Sequence, residues 1–162
     1  MGKRLRTYIK EPSIFFVTTT FTDWKNLLVN AEILDKAETL LFSVMSAKAS
    51  AIFGYVLMPS HVHLLIGCSL GGLQLSECMR SYKSLTARKI FPTIKSVWMR
   101  RFDDLVIVTE KQFYVKLNYI HDNPVRKGLV KEAVDWKWSS AQFWINDEEH
   151  PVLKKDWDWT TL

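Results

Sequence analysis

The chain has 162 residues, enough for one domain with a substantial core. Apolar residues make up 48% and seven residues are Trp, a composition that excludes a disordered segment. Lys and Arg number 22 against 17 Asp and Glu, a net charge of +5, so nucleic acid is the first partner to weigh, because clustered cations release counterions from a phosphate backbone.

Cys68 and Cys78 match no paired metal-ligand spacing and are too few to staple a fold of this size. They are expected to be buried thiols of a reducing compartment, the cytoplasm, where a nucleic-acid partner would place the chain at the nucleoid. After the charged start MGKRLRTYIK comes no apolar stretch with a cleavage site, and no run approaches the roughly 18 apolar residues of a membrane helix. Neither an export signal nor a membrane span is expected.

In chain order, SIFFVTTTFT (13–22) is rich in β-branched and aromatic residues and predicts a strand. In NAEILDKAETLLFSVMSA, Ile33, Ala37, Leu40, Leu41 and Val44 recur at helical spacing and predict an amphipathic helix. AIFGYVLMPSHVHLLIGC predicts a hairpin turning at Met58-Pro59-Ser60. LQLSECMRSYKSLTARKIF predicts a second helix, SVWMRRFDDLVIVT a strand, turn and strand, and EKQFYVKLNYIHDN a third helix broken at Pro124. An aromatic tail, residues 131–162, follows a core of about 7–130 within a single domain over 1–162. Strands interspersed with helices and one hairpin favour an α+β sandwich, an antiparallel sheet with helices packed on it.

The hairpin's second strand carries two of the four histidines. Successive strand side chains point to opposite sides, so Val62, Leu64, Ile66 and Cys68 share an apolar face while His61 and His63 sit together on the other, less apolar one. Paired imidazoles suit a metal ion, although so short a pattern more often marks two half-exposed histidines.

On the third helix, at about 100° per residue, Phe113, Leu117 and Ile120 form the core stripe. Tyr119 lies off it, with Asn123 one turn later and Lys116 one turn earlier on the same flank. Asn123 before Pro124 also fits an N-cap, with Gly128 ending a short second helix. In isolation, Tyr119 reads as an ordinary residue of an amphipathic helix.

Taken together, MPSHVHLLI, VWMRRF, YIHDNPVRKGLV and DWKWSS occur in the order and approximate spacing of the REP-associated tyrosine transposases, relatives of the single-tyrosine HUH transposases. The resemblance runs from about Thr7 to about Trp144. It implies a ferredoxin-like sandwich with the HUH motif on a central strand. It further implies that His61 and His63 bind a divalent metal, Mg2+ or Mn2+, that Asn123 completes the site, and that Tyr119 is the nucleophile. A phenol titrates near 10, so at neutral pH it needs help to attack phosphorus. The implied reaction is nicking and strand transfer of single-stranded or hairpin DNA through a 5′-phosphotyrosine linkage, by a monomer or homodimer. One departure is visible, since relatives often carry Tyr-Asp-His after RRF and this chain has Asp103-Asp104-Leu105.

A basic track for the strand is sought in Lys3, Arg4, Arg6 and Tyr8, in Arg80 and Lys83, in Arg100 and Arg101, and in Lys116. Trp136, Trp138 and Trp144 are expected to anchor the tail by packing. Two other readings compete. One is a catalytically inactive DNA-binding regulator of the same fold. The other, a histidine-dependent nucleotide hydrolase, would need a third His where this chain has Leu65.

Overall fold

A computed structural model describes residues 5–158. The elements run β1 (Ser13–Thr20), α1 (Ala31–Ala47), β2 (Ala51–Leu57), β3 (His61–Cys68), α2 (Gly71–Lys89), β4 (Asp103–Ile107), α3 (Glu110–Arg126) and the short α4 (Ala141–Ile145). The four strands form one antiparallel sheet in the order β2-β3-β1-β4. A βαββαβ chain in that order is a ferredoxin-like sandwich, and the H-x-H strand β3 is central in it.

The hairpin turns where the sequence predicts, with the Met58 N–H donating to the His61 carbonyl at 2.9 Å. Helix α1 starts at Asn30, whose side chain caps the Ile33 N–H at 2.9 Å. The predicted strand around Trp98 reduces to an isolated bridge between Trp98 and Phe21. The indole of Trp98 stacks on the Phe21 ring at 4.1 Å and donates to Thr86 at 2.8 Å, so side-chain packing adds to the two backbone bonds that flank the bridge, from the Thr22 N–H to Val97 and from the Met99 N–H to Thr20.

Both faces of the sheet are covered. Val62, Leu64, Ile66 and Cys68 join the larger core with α1 and α2. The other face is not the half-open surface that alternation suggests, because α3 lies across it. There Phe113, Leu117 and Ile120 meet Ile14, Phe53, Val56, Leu65 and Ile107 in a second core. Each such buried side chain contributes about 1.5–3 kcal/mol.

That packing explains why α3 is not broken at Pro124. Ile120, His121, Asn123 and Pro124 are all buried, and their burial outweighs the missing N–H of the proline. The helix ends two residues later. Gly128, at φ 70°, donates to Val125 at 2.9 Å while Leu129 donates to Pro124 at 2.9 Å, a Schellman closure that needs the left-handed residue. Asn123 therefore lies inside α3 and is not an N-cap.

The tail covers the β2 edge. The Leu57 N–H donates to Trp138 at 2.9 Å and the Ser140 N–H to Tyr55 at 3.0 Å. The indoles of Trp136 and Trp144 donate to the Leu57 and Phe53 carbonyls at 3.0 and 2.6 Å. These tryptophans pack as expected. Among the described residues no helix is long and apolar enough to cross a membrane.

Candidate active site on the histidine strand

Register puts the two histidines under α3. His61 pairs with Thr20 and His63 with Thr18 of β1, so those threonines share their face. Both histidines are buried, at 5% and 4% exposure, unlike two ordinary surface imidazoles. Their rings lie 4.6 Å apart. Nδ1 of His61 is 2.9 Å from the Ser60 hydroxyl and Nδ1 of His63 is 2.9 Å from that of Thr18. An Nδ1–H that donates to its hydroxyl leaves the Nε2 lone pair free for a cation, the usual second contact of a metal-binding histidine.

Tyr119 reaches this pair from α3, with its ring 5.3 Å from that of His63. Phe16 stacks on His63 at 5.4 Å and meets Tyr119 edge-on at 6.0 Å. Tyr119 is 36% exposed, so one side of the phenol is open to a ligand. Asn123 follows one turn later and is buried at 2% exposure. Its Oδ1 has no hydrogen-bond partner, and neither does Nε2 of His63. Two orphaned lone-pair atoms are costly to bury. Each offers a lone pair that a divalent cation would take up, and a donor set of two imidazoles and an amide oxygen fits Mg2+ less well than Mn2+. Among the described residues no three His, Cys, Asp or Glu side chains come together, so a protein-bound cation here would draw on the amide.

The charges around the phenol are positive. Lys116 Nζ lies 4.7 Å from the Phe16 ring centre and 5.8 Å from that of Tyr119, and the Arg126 guanidinium lies 4.4 Å over Tyr119. Residues 119, 123 and 126 share one helical flank. A helix ended at Pro124 leaves Arg126 off this flank, and only the continuation of α3 to Arg126 brings it there. Phe16 and Thr18 could have been found only from the register of β1 against β3.

The remaining predicted contacts are dispersed. Arg80 is exposed on α2, across the sheet from Tyr119. Lys83 donates to the Met99 and Arg100 carbonyls at 2.7 and 3.3 Å, fastening α2 to the loop before β4. Arg6 donates to Ser76 at 3.1 Å, pairs with Asp104 and lies 4.1 Å over Phe102. It anchors the N-terminal segment, whereas Tyr8 nearby is exposed. Arg100 and Arg101 are exposed at the end of the sheet where the Met99 N–H bonds Thr20. Lys3 and Arg4 lie outside the described residues. Leu105, at the departure from the relatives' Tyr-Asp-His, is 45% exposed and in register with Phe16.

Burial pushes His61 down to about 4, with the Lys127 charge adding to the shift. It pushes His63 to about 3, with His61, Arg126 and Lys116 adding, and the buried His121 to about 4. All three are neutral at pH 7, the form that binds metal. An unfolded histidine takes up its proton near pH 6.5, which the folded chain resists. Below that pH the unfolded state binds more protons, so metal-free stability is full above about pH 6.5 and falls as pH drops toward 4. The expected loss at about pH 5 is on the order of 1–2 kcal/mol per histidine. Urea unfolding at neutral and acid pH measures it, and equal midpoints would contradict the burial of these rings.

Comparison with known proteins accords with this arrangement. The family model described as "Transposase IS200 like" matches residues 16–123, from the Phe16 that stacks on His63 to the orphaned Asn123. The REP-associated tyrosine transposase of Escherichia coli K12 is 26% identical over 160 residues, covering 97% of this chain and 91% of that protein. A solved REP-associated tyrosine transposase bound to a REP hairpin superposes with a TM-score of 0.76 at 22% identity, covering 98% of this chain and 100% of the other. A transposase candidate from Deinococcus radiodurans R1 superposes at 0.52 with 20% identity, covering 75% and 97%. The last two likenesses concern the fold. With its model match spanning both the histidine strand and the tyrosine helix, the chain belongs to the IS200-like transposases, and over nearly its whole length it matches the REP-associated tyrosine transposases among them.

Proposed function

We propose that this chain nicks and rejoins single-stranded DNA with Tyr119 as nucleophile, acting on hairpin-forming repeats. The observation that carries the reading is the accessible Tyr119 phenol beside the buried His63, with an unpartnered atom on each of the facing strand and helix, His63 Nε2 and Asn123 Oδ1. His61, His63 and Asn123 would hold a divalent cation, Mg2+ or Mn2+. When bound, the cation supplies Lewis acidity to the scissile phosphate.

The Tyr119 oxygen attacks phosphorus and loses its proton. The bond from phosphorus to the 3′ oxygen breaks, leaving a 5′-phosphotyrosine and a free 3′-hydroxyl. The phosphoester is conserved, so attack by another 3′-hydroxyl rejoins the strand without a high-energy cofactor. Arg126 and Lys116 bring positive charge to the phosphate that approaches Tyr119. Phe16 fixes the His63 plane, and Thr18 and Ser60 orient the two rings. Because α3 lies on its own sheet, with Tyr119 beside His63 of the same chain, a monomer acting in cis is supported. The hairpin held by the solved relative supports hairpin DNA as the substrate.

The test is incubation with a hairpin oligonucleotide bearing single-stranded flanks, drawn from repeats beside the gene, with Mn2+ or with chelator. A denaturation-resistant protein–DNA adduct is expected with metal only. An adduct of equal yield in chelator removes the metal role.

A further inference from the structure

The turn after β1 carries an aromatic group that the nicking chemistry leaves unused. Asp23 and Trp24 both take left-handed backbone, at φ 57° and 54°. Residues with a side chain hold that conformation at a cost, where the surroundings fix it. Here they do. The Phe21 N–H donates to Ser60 at 3.0 Å, the Thr22 N–H to Val97 at 2.9 Å, and the Leu27 and Leu28 N–H groups to Pro59 at 2.9 and 3.2 Å. The turn is thus stitched to the Pro59-Ser60 corner from which the histidine strand departs.

What the turn presents is the Trp24 indole, 60% exposed, with its ring 5.9 Å from that of His61 and tilted 65°. Four other tryptophans are used differently. Trp98, Trp136, Trp138 and Trp144 are at least partly buried, and each donates its indole N–H to a protein acceptor. His61 also walls a cleft of about 230 Å³ with Asn26, Pro59, Lys127 and Leu129. A flat π face in water, a cation and a cleft therefore meet at one imidazole of the proposed metal site. Unpaired DNA offers the matching chemistry, a phosphate track with bases whose faces stack on aromatic side chains whatever their identity. A duplex would keep those faces covered.

We propose that Trp24 stacks on an unpaired base of the strand beside the phosphate that Tyr119 attacks. The placement of that phosphate rests on the nicking reading. The stacking contact itself is measured without cleavage.

The experiment is equilibrium binding of a labelled twelve-residue oligothymidylate in chelator, by fluorescence anisotropy, to wild type, Trp24→Ala and Trp24→Phe. Unfolding midpoints taken alongside establish that all three fold. Trp24→Ala is expected to bind about tenfold more weakly and Trp24→Phe within about threefold of wild type, because a phenyl face also stacks. DNA-induced quenching of tryptophan emission is expected in wild type and reduced in Trp24→Phe. Three results would overturn the proposal: no binding by wild type, unchanged affinity in Trp24→Ala, or Trp24→Phe as weak as Trp24→Ala. If wild type binds as expected yet forms no covalent adduct on hairpin DNA, nicking fails and stacking stands. An adduct formed alongside unchanged affinity in Trp24→Ala sinks stacking alone.

Discussion

Tyr119→Phe is expected to fold like the wild type, to bind single-stranded DNA with similar affinity, and to form no covalent adduct. The phenol is 36% exposed and its ring contacts are with Phe16, His63 and the Arg126 guanidinium, all of which a phenyl ring preserves. Only the oxygen proposed to attack is removed. No other hydroxyl is placed by these contacts against both His63 and the open side of α3, so the expected loss is essentially the whole reaction, at least about a thousandfold, or roughly 4 kcal/mol of barrier. Denaturing electrophoresis with end-labelled hairpin DNA measures it. Residual adduct in Tyr119→Phe at a tenth of the wild-type yield would mean that another residue can attack.

Asn123→Leu separates stability from function in opposite directions. In the wild type without metal, Oδ1 of Asn123 is buried with no partner, a defect worth about 1–3 kcal/mol. Leucine of similar volume removes that defect on a helix flank already facing the sheet. Metal-free Asn123→Leu is therefore expected to unfold at higher denaturant, by about 1 kcal/mol. Adduct formation is expected to fall about a hundredfold, roughly 2.7 kcal/mol of barrier. The two proteins should also respond differently to metal. A cation at a hundred times its dissociation constant stabilises the folded wild type by about 2.7 kcal/mol, and Asn123→Leu should lose most of that gain. Should Mn2+ stabilise both proteins equally, Asn123 would not be a ligand. A destabilised Asn123→Leu would mean that the amide is partnered after all. Such a trade is expected where a proposed ligand atom is kept buried and unpartnered at a cost in stability.

Much of this arrangement can be read from local pattern. Strict alternation in HVHLLIGC separates His61 and His63 from Val62, Leu64 and Ile66, and the Met58-Pro59-Ser60 corner falls where the hairpin turns. Helical spacing puts Phe113, Leu117 and Ile120 in the core and leaves Tyr119 at its flank, as found. Alternation has no access to what covers the second face, so the histidines read as partly open until α3 is docked over them. Proline chemistry alone ends a helix at Pro124, yet the burial of Ile120, His121 and Asn123 carries α3 on to Arg126, which brings a guanidinium onto Tyr119. The pairing of Thr18 with His63 depends on register between strands far apart in sequence. Charge alone makes Arg6 and Lys83 candidates for DNA contact, whereas the fold engages both in its own fastening. Trp24 gives no signal at all in the sequence, because nothing local distinguishes an exposed indole from the packed ones nearby. The link between the histidine strand and the tyrosine helix came from family resemblance, and the fold brings those two segments into contact.

The most direct measurement is the site of DNA attachment. After reaction with hairpin DNA and Mn2+, nuclease trimming and trypsin digestion, the peptide LNYIHDNPVR, residues 117–126, carries the only tyrosine expected to react. A nucleotide-mass addition is expected on that peptide, mapped by fragmentation to Tyr119 and absent when metal is chelated. An adduct mapped to any other residue, or none in a sample whose DNA has been nicked, would contradict it.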